Sequence, residues 1–172
     1  MVVIEFLNSF LQWAQGIVGA FGYFGIFIVS MIATSTVILP TYPLSIIIFF
    51  SGAILNPLLV GLIAGFGTSI GEMVGFVIGR GGEKILIKKY KKEIKQMEKL
   101  FQRFRGEIII FLIAAIPIVP FDVVGLFCGI VGFDVKKFYI SLLLGKMIRY
   151  TFIAFAGYFG VQWILGLITT ST

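Results

Sequence analysis

Histidine is absent from this 172-residue chain, cysteine occurs once, proline five times, and only 13% of the residues are charged. Without histidine, Ser-His-Asp and Cys-His nucleophilic sites, H-E-x-x-H zinc centres and histidine-based phosphatases are excluded. The lone Cys128 can close no intrachain disulfide and found no cysteine-rich metal site. Charge is scarcest in the first half, where Phe6 to Gly71 is a run of 66 positions with no Asp, Glu, Lys or Arg. Soluble domains carry about 25% charged residues, and no water-facing fold tolerates so long an uncharged stretch. What the chain has instead is apolar surface: 59% of it is hydrophobic, with a mean hydropathy of +1.07. The composition is that of an integral membrane protein. The stretch before the first apolar run carries Glu5 and neither Lys nor Arg, and no small-residue cleavage site follows it. The first hydrophobic segment is therefore expected to stay in the mature chain.

The net charge of +6 is concentrated in one place. Between Arg80 and Glu107 ten basic residues face four acidic ones, and the rest of the chain balances. A short basic loop between hydrophobic spans is retained in the cytoplasm, so the sequence predicts a multi-pass cell-membrane protein with loop 80–107 cytoplasmic. Ile87, Tyr90, Ile94, Met97, Phe101 and Phe104 recur at helical spacing between Gly81-Gly82 and Gly106, which predicts an amphipathic helix. Its opposite face, with Lys88, Lys91, Lys92 and Lys95, either sets topology or contacts anionic lipid headgroups. Nucleic acid is not needed to explain the charge.

Reading outward from this loop gives a segment plan. A transmembrane helix is expected over 9–30, a re-entrant hairpin over 31–57, and a transmembrane helix over 58–79. After the basic helix of 80–107 come a second hairpin over 108–134, a transmembrane helix over 137–159, and an interfacial tail or helix extension over 160–172. The hairpins are inferred from Pro40 and Pro43 in one apolar stretch and Pro117 and Pro120 in the other, because proline removes backbone donors in mid-membrane. Displacing the chain by 77 residues superimposes these prolines, Phe50 on Phe127, Gly52 on Gly129, Ser45 on Asp122 and Glu72 on Arg149. With a cytoplasmic loop between them the two units face opposite ways. The expected fold is thus an all-α integral membrane protein built as an inverted repeat of two units, each a re-entrant helical hairpin plus a transmembrane helix. An N-terminal transmembrane helix and a cytoplasmic amphipathic helix complete it. Gly67, Gly71, Gly75 and Gly79 form a small-residue ridge whose expected role is close helix packing.

Four ionisable residues fall inside the apolar segments: Glu72, Asp122, Lys146 and Arg149. Each costs about 2.5–3.5 kcal/mol near a helix centre, so such residues face a partner or a wet cavity and mark pathways for substrates or ions. The plainer explanation is a pair of packing salt bridges, Glu72 with Arg149 and Asp122 with Lys146. On the pathway reading, the two cations hold an acidic headgroup and a carboxylate carries a proton.

These features resemble the DedA family, also called the VTT or SNARE-associated domain superfamily. The resemblance rests on Pro40–Gly52, on Gly67–Arg80 (GTSIGEMVGFVIGR), and on Pro117–Gly129 with the helix of Phe138–Gly160. It implies two oppositely facing re-entrant hairpins and the flipping or scrambling of polyprenyl-phosphate or phospholipid, often with proton dependence. Two departures stand out: Ser45 occupies the position of the family's acidic residue after the first hairpin's proline, and the arginines around the second hairpin's proline are missing. Asp122, Lys146 and Arg149 are the candidate replacements. The functional expectation is a lipid translocator with no cofactor, no metal and no enzymatic activity. Its partners are membrane lipids, protons and, as an open option, a second copy of itself. A proton-coupled exporter or exchanger of small solutes and a non-transporting scaffold are the alternatives.

Overall fold

The computed structural model of the protein describes residues 2–35, 42–81, 105–116 and 122–170. Among these the chain is six α-helices without a strand: α1 (Val2–Ser35), α2 (Tyr42–Ile54), α3 (Pro57–Gly81), α4 (Gly106–Ala115), α5 (Asp122–Ile130) and α6 (Val135–Thr170). The hairpin tips at Pro40, Pro117 and Pro120 and the basic segment with Lys88, Lys91, Lys92 and Lys95 lie outside the described residues.

By length and composition three stretches can cross a bilayer, Val18–Ser35, Pro57–Gly81 and Val135–Trp163, the first of them interrupted at Gly22. They are the spans of a multi-pass membrane protein. Its outer surface agrees, with Ile54 83% and Phe152 74% exposed. Such side chains find no apolar partner inside the protein and are at home against lipid.

The helix ends follow local chemistry. Asn56 opens α3: its Oδ1 accepts from the N–H groups of Leu58 at 3.0 Å and Leu59 at 3.3 Å. Pro57 follows at the first helical position, where no backbone donor is lost. Asp134 does the same for α6, accepting from the Lys137 N–H at 2.9 Å. Pro43, expected in a broken segment, lies in the first turn of α2 and is buried. At the other end of the protein the helix of Lys137 does not stop near residue 159. It continues to Thr170, so the tail is a helix extension.

The break in the first segment falls at Gly22, not after residue 30. Gly22 has φ 55° and ψ −124° inside α1, a conformation that L side chains rarely adopt. The 13 residues from Tyr23 to Ser35 therefore form a separate leg, and the Tyr23 hydroxyl receives the N–H of Asn56 at 3.1 Å. That leg starts beside the α2–α3 turn.

Two clusters make the core. One joins Ile26, Val29, Leu44, Ile48, Val60, Ala64, Tyr150 and Ala154 from α1, α2, α3 and α6. The other joins Phe76, Ile110, Ala114, Cys128, Phe138 and Leu142 from α3, α4, α5 and α6. Helices in lipid gain little from hydrophobic association and depend on close packing instead. Glycine supplies it here: Gly61 meets the backbone of Thr151 and Gly65 that of Met147, which sets α3 antiparallel to α6. Gly52 of α2 abuts Ala154 and Phe49 abuts Gly157, while Gly129 of α5 abuts Phe76 and Leu126 abuts Gly79.

Candidate functional site

Glu72, Lys146 and Arg149 come together in the seam between α3 and α6. Their relative exposures are 4%, 0% and 3%, so all three are sealed. The seam puts them there through its glycines. With Gly65 against Met147, α3 and α6 are close enough for a side chain of α6 to reach across, and Lys146 Nζ donates to Glu72 Oε1. Lys146 reaches Glu72 because the helices run antiparallel. The position opposite Glu72 lies towards the start of α6, and Lys146 is nearly one turn closer to it than Arg149.

Arg149 shares a different partner with Lys146. The Tyr150 ring, fully buried, has the Lys146 ammonium 5.8 Å and the Arg149 guanidinium 5.7 Å from its centroid. Cations at this distance are attracted by the ring's negative face, and more strongly once desolvated. Below the pair, Phe76 and Phe138 stack with centroids 4.7 Å apart and close the seam with apolar surface. Tyr150 was not singled out from the sequence. Its position four residues after Lys146 and next to Arg149 on an apolar helix was the available signal.

Asp122 begins α5, the helix whose Gly125 lies against Glu72: a methyl at Gly125 would stand 3.5 Å from the Glu72 carbonyl oxygen. The Asp122 side chain lies outside the described residues. Gly67 packs on Phe27, Gly71 on Met31 and Thr34, and Gly79 on Leu126, and Gly75 is buried in the same helix. Gly71, next to Glu72, brings the backbone of α3 against α1.

A seam of hydroxyls between α1 and α3 adjoins the charges. Thr34 Oγ1 donates to the Thr68 carbonyl at 3.1 Å and the Ser30 carbonyl at 2.8 Å, and Ser69 Oγ to the Gly65 carbonyl at 2.7 Å. Ser30, Thr34, Thr68 and Ser69 are all buried. The Thr34, Thr68 and Ser69 hydroxyls bond carbonyls one turn back on their own helices. Together the seam and the three charges form a polar stripe inside an otherwise apolar bundle.

A family model for the VTT domain matches residues 39–159, which include Glu72, Lys146 and Arg149. An uncharacterized protein of Methanocaldococcus jannaschii is 28% identical over 149 residues, covering 84% of this chain and 89% of the relative. No solved structure matches. With the family model spanning residues 39–159, well over half of its length, the chain belongs to the VTT-domain, or DedA, family.

Proposed function

We propose that the protein moves an amphipathic lipid with an acidic headgroup, such as a polyprenyl phosphate or a phospholipid, from one leaflet to the other. The observation that carries this reading is the sealed cluster of Glu72, Lys146 and Arg149 at the helix seam. A fold needs no buried charges there, since apolar side chains of the same volume pack the seam as well or better. Two cations beside one carboxylate suit an acidic headgroup, with the guanidinium of Arg149 able to form a bidentate contact.

The architecture supports a translocation path through this cluster. The legs are too short to cross a hydrocarbon core of about 30 Å: at 1.5 Å per residue, Tyr23–Ser35 and α2 reach about 20 Å, and α4 and α5 about 15 Å. The first pair begins and ends at the Asn56 end of α3, as the Tyr23–Asn56 hydrogen bond requires. The second begins and ends at the other end, where Lys137 binds Glu107 and Arg80 binds the Phe133 carbonyl. We read them as re-entrant hairpins entering from opposite faces. The basic segment that follows α3 then puts the second hairpin on the cytoplasmic side.

Packing pairs support the inverted repeat. The contact of Gly52 with Ala154 has its counterpart in Gly129 with Phe76, and that of Phe49 with Gly157 in Leu126 with Gly79. The hairpin residues are offset by 77 and the long-helix residues by 78, so α6 has slipped one position against the alignment of the prolines. Glu72 then corresponds to Tyr150, and the two sides of the cluster are not chemical copies. Exchange of the two units about this seam would expose the cluster to each leaflet in turn. The sealed state is the intermediate of such a cycle. An apolar cavity of about 510 Å³ between the first half of α1 and α2, lined by residues that include Val18, Ile47, Phe50 and Leu55, suits the hydrocarbon part of the cargo.

The test is transfer of labelled polyprenyl phosphate and labelled phospholipid between leaflets of liposomes with and without the purified protein. Acceleration of either supports the reading, and no acceleration of any lipid overturns it. Ion-gradient-driven flux of a small solute in the same vesicles, without lipid movement, would favour an exporter instead.

A further inference from the structure

The end of the bundle where α3 finishes and α4 and α6 start carries a second charged group, separate from the buried cluster. Arg80, Arg105, Lys136 and Lys137 are all exposed there, with Asp134 and Glu107 as the acids. Contacts hold these residues to one rim. Arg80 Nη1 donates to the Phe133 carbonyl at 3.3 Å, beside Asp134, and Lys137 Nζ meets Glu107 at 2.9 Å. The positive charge of Arg105 acts on both Glu107 and Lys137.

The acids of this rim are committed. Asp134 caps α6 through the Lys137 N–H, and Glu107 is held by the Lys137 ammonium. Arg80 completes the last turn of α3, where a cation is favoured, but Arg105, Lys136 and Lys137 stand at the starts of α4 and α6. A helix start is itself positive, so these three cations add to the potential and do not cancel it. The segment 82–104 leaves from Gly81 and returns to Arg105, tethering eight more basic residues against three acidic ones to the same rim. Among the described residues of the rim only Asp134 and Glu107 are acidic.

The rim also lies at a fixed level. The apolar span of α3 ends at Gly81 and that of α6 begins at Val135, which puts Arg80, Arg105 and Lys136 at the depth of lipid headgroups. We propose that this rim is a docking site for the phosphate of an anionic membrane lipid, with Arg80, Arg105 and Lys136 as its contacts. It is a binding site distinct from the buried cluster. Lipid held there by its headgroup would lie with its chains along α3 and α6. If the protein translocates lipid as proposed, the rim is where cargo is gathered, but equilibrium binding at the rim does not require transport.

The test uses the full chain in lipid nanodiscs with spin-labelled phosphatidic acid or phosphatidylcholine, reading the immobilised fraction of each. Wild type should prefer phosphatidic acid, and Arg80→Gln, Arg105→Gln and Lys136→Gln should each lower the preference by about fivefold or less, cumulatively in the triple variant. Gel filtration and thermal melting identify variants that have lost their fold, in which case the single variants carry the test. Equal preference in wild type and triple variant overturns the proposal. So does loss of preference only when Lys88, Lys91, Lys92 and Lys95 are neutralised, which would assign the lipid to the tethered segment. Lost transport with intact preference counts against translocation alone, and lost preference difference with intact transport counts against the rim alone.

Discussion

Lys146 and Glu72 are ion-paired across the α3–α6 seam, and neither side chain reaches the surface of the protein. Two charges removed from water in this way are each other's main compensation. Leaving one without the other costs about 3–5 kcal/mol, whereas replacing both with apolar groups is often neutral or stabilising. Glu72→Leu alone and Lys146→Met alone should therefore lower the melting temperature in detergent strongly. The double variant should melt close to wild type. A double variant as unstable as the sum of the singles would mean that the charges are not coupled.

The glycines that join the helices should differ sharply from those that do not. A methyl at Gly157 would collide with the Phe49 carbonyl, whereas one at Gly19 would meet nothing within 4 Å. Gly157→Ala should destabilise by about 1–3 kcal/mol through overpacking, while Gly19→Ala should be neutral or stabilising by up to about 1 kcal/mol through helix propensity. Melting curves of the two variants side by side check this.

Asn56 ties the first turn of α3 to α1. Asn56→Ala removes the acceptor for the Leu58 and Leu59 N–H groups and should cost about 0.5–2 kcal/mol. Asn56→Asp keeps the acceptor and should recover most of it. Amide exchange at Leu58 and Leu59 gives the local readout: faster in the alanine variant, near wild type in the aspartate variant.

Acid should loosen the start of α4. The hydrogen bond from Lys137 holds the Glu107 carboxyl below its ordinary value of 4.5, with its own backbone and the charges of Lys137 and Arg105 contributing. A carboxyl lowered on folding stabilises at pH above its unfolded value, and that contribution is lost as pH falls through the folded value. Wild type should thus lose amide protection at the start of α4, measured against the intrinsic exchange rate at each pH, as the pH drops below about 4.5. Glu107→Gln should lack this dependence. Because Lys137 and Glu107 are 62% and 35% exposed, the effect is confined to the local contact.

Much of this organisation is legible in the residues. The uncharged run from Phe6 to Gly71 identifies a membrane protein, and in the glycine ridge of α3, expected to pack closely, Gly67, Gly71 and Gly79 each face the backbone of a neighbouring helix. That Glu72, Lys146 and Arg149 are the unusual charges also follows from the sequence, because any ionisable group in an apolar span needs a partner. Which partner does not follow. The prolines align Glu72 with Arg149, but such an alignment names equivalent positions and not contacts, and the antiparallel α3–α6 seam brings Lys146 to Glu72. Tyr150 and the hydroxyls of Ser30 and Thr34 escaped notice because such residues are ordinary on apolar helices. They acquire meaning only through what the fold puts beside them. The break at Gly22 was hidden by four glycines at similar spacing, of which only Gly22 takes a positive φ within α1.

The measurement that bears most directly on the central claim is the transbilayer rate of a labelled acidic lipid in liposomes carrying the Glu72→Leu/Lys146→Met double variant, compared with wild type. Because this variant is expected to fold, its rate separates a path from a packing pair. The buried cluster as a translocation path predicts a fall to the rate of protein-free vesicles, with Arg149→Ala falling likewise. A double variant that melts like wild type and still moves lipid at the wild-type rate would contradict it.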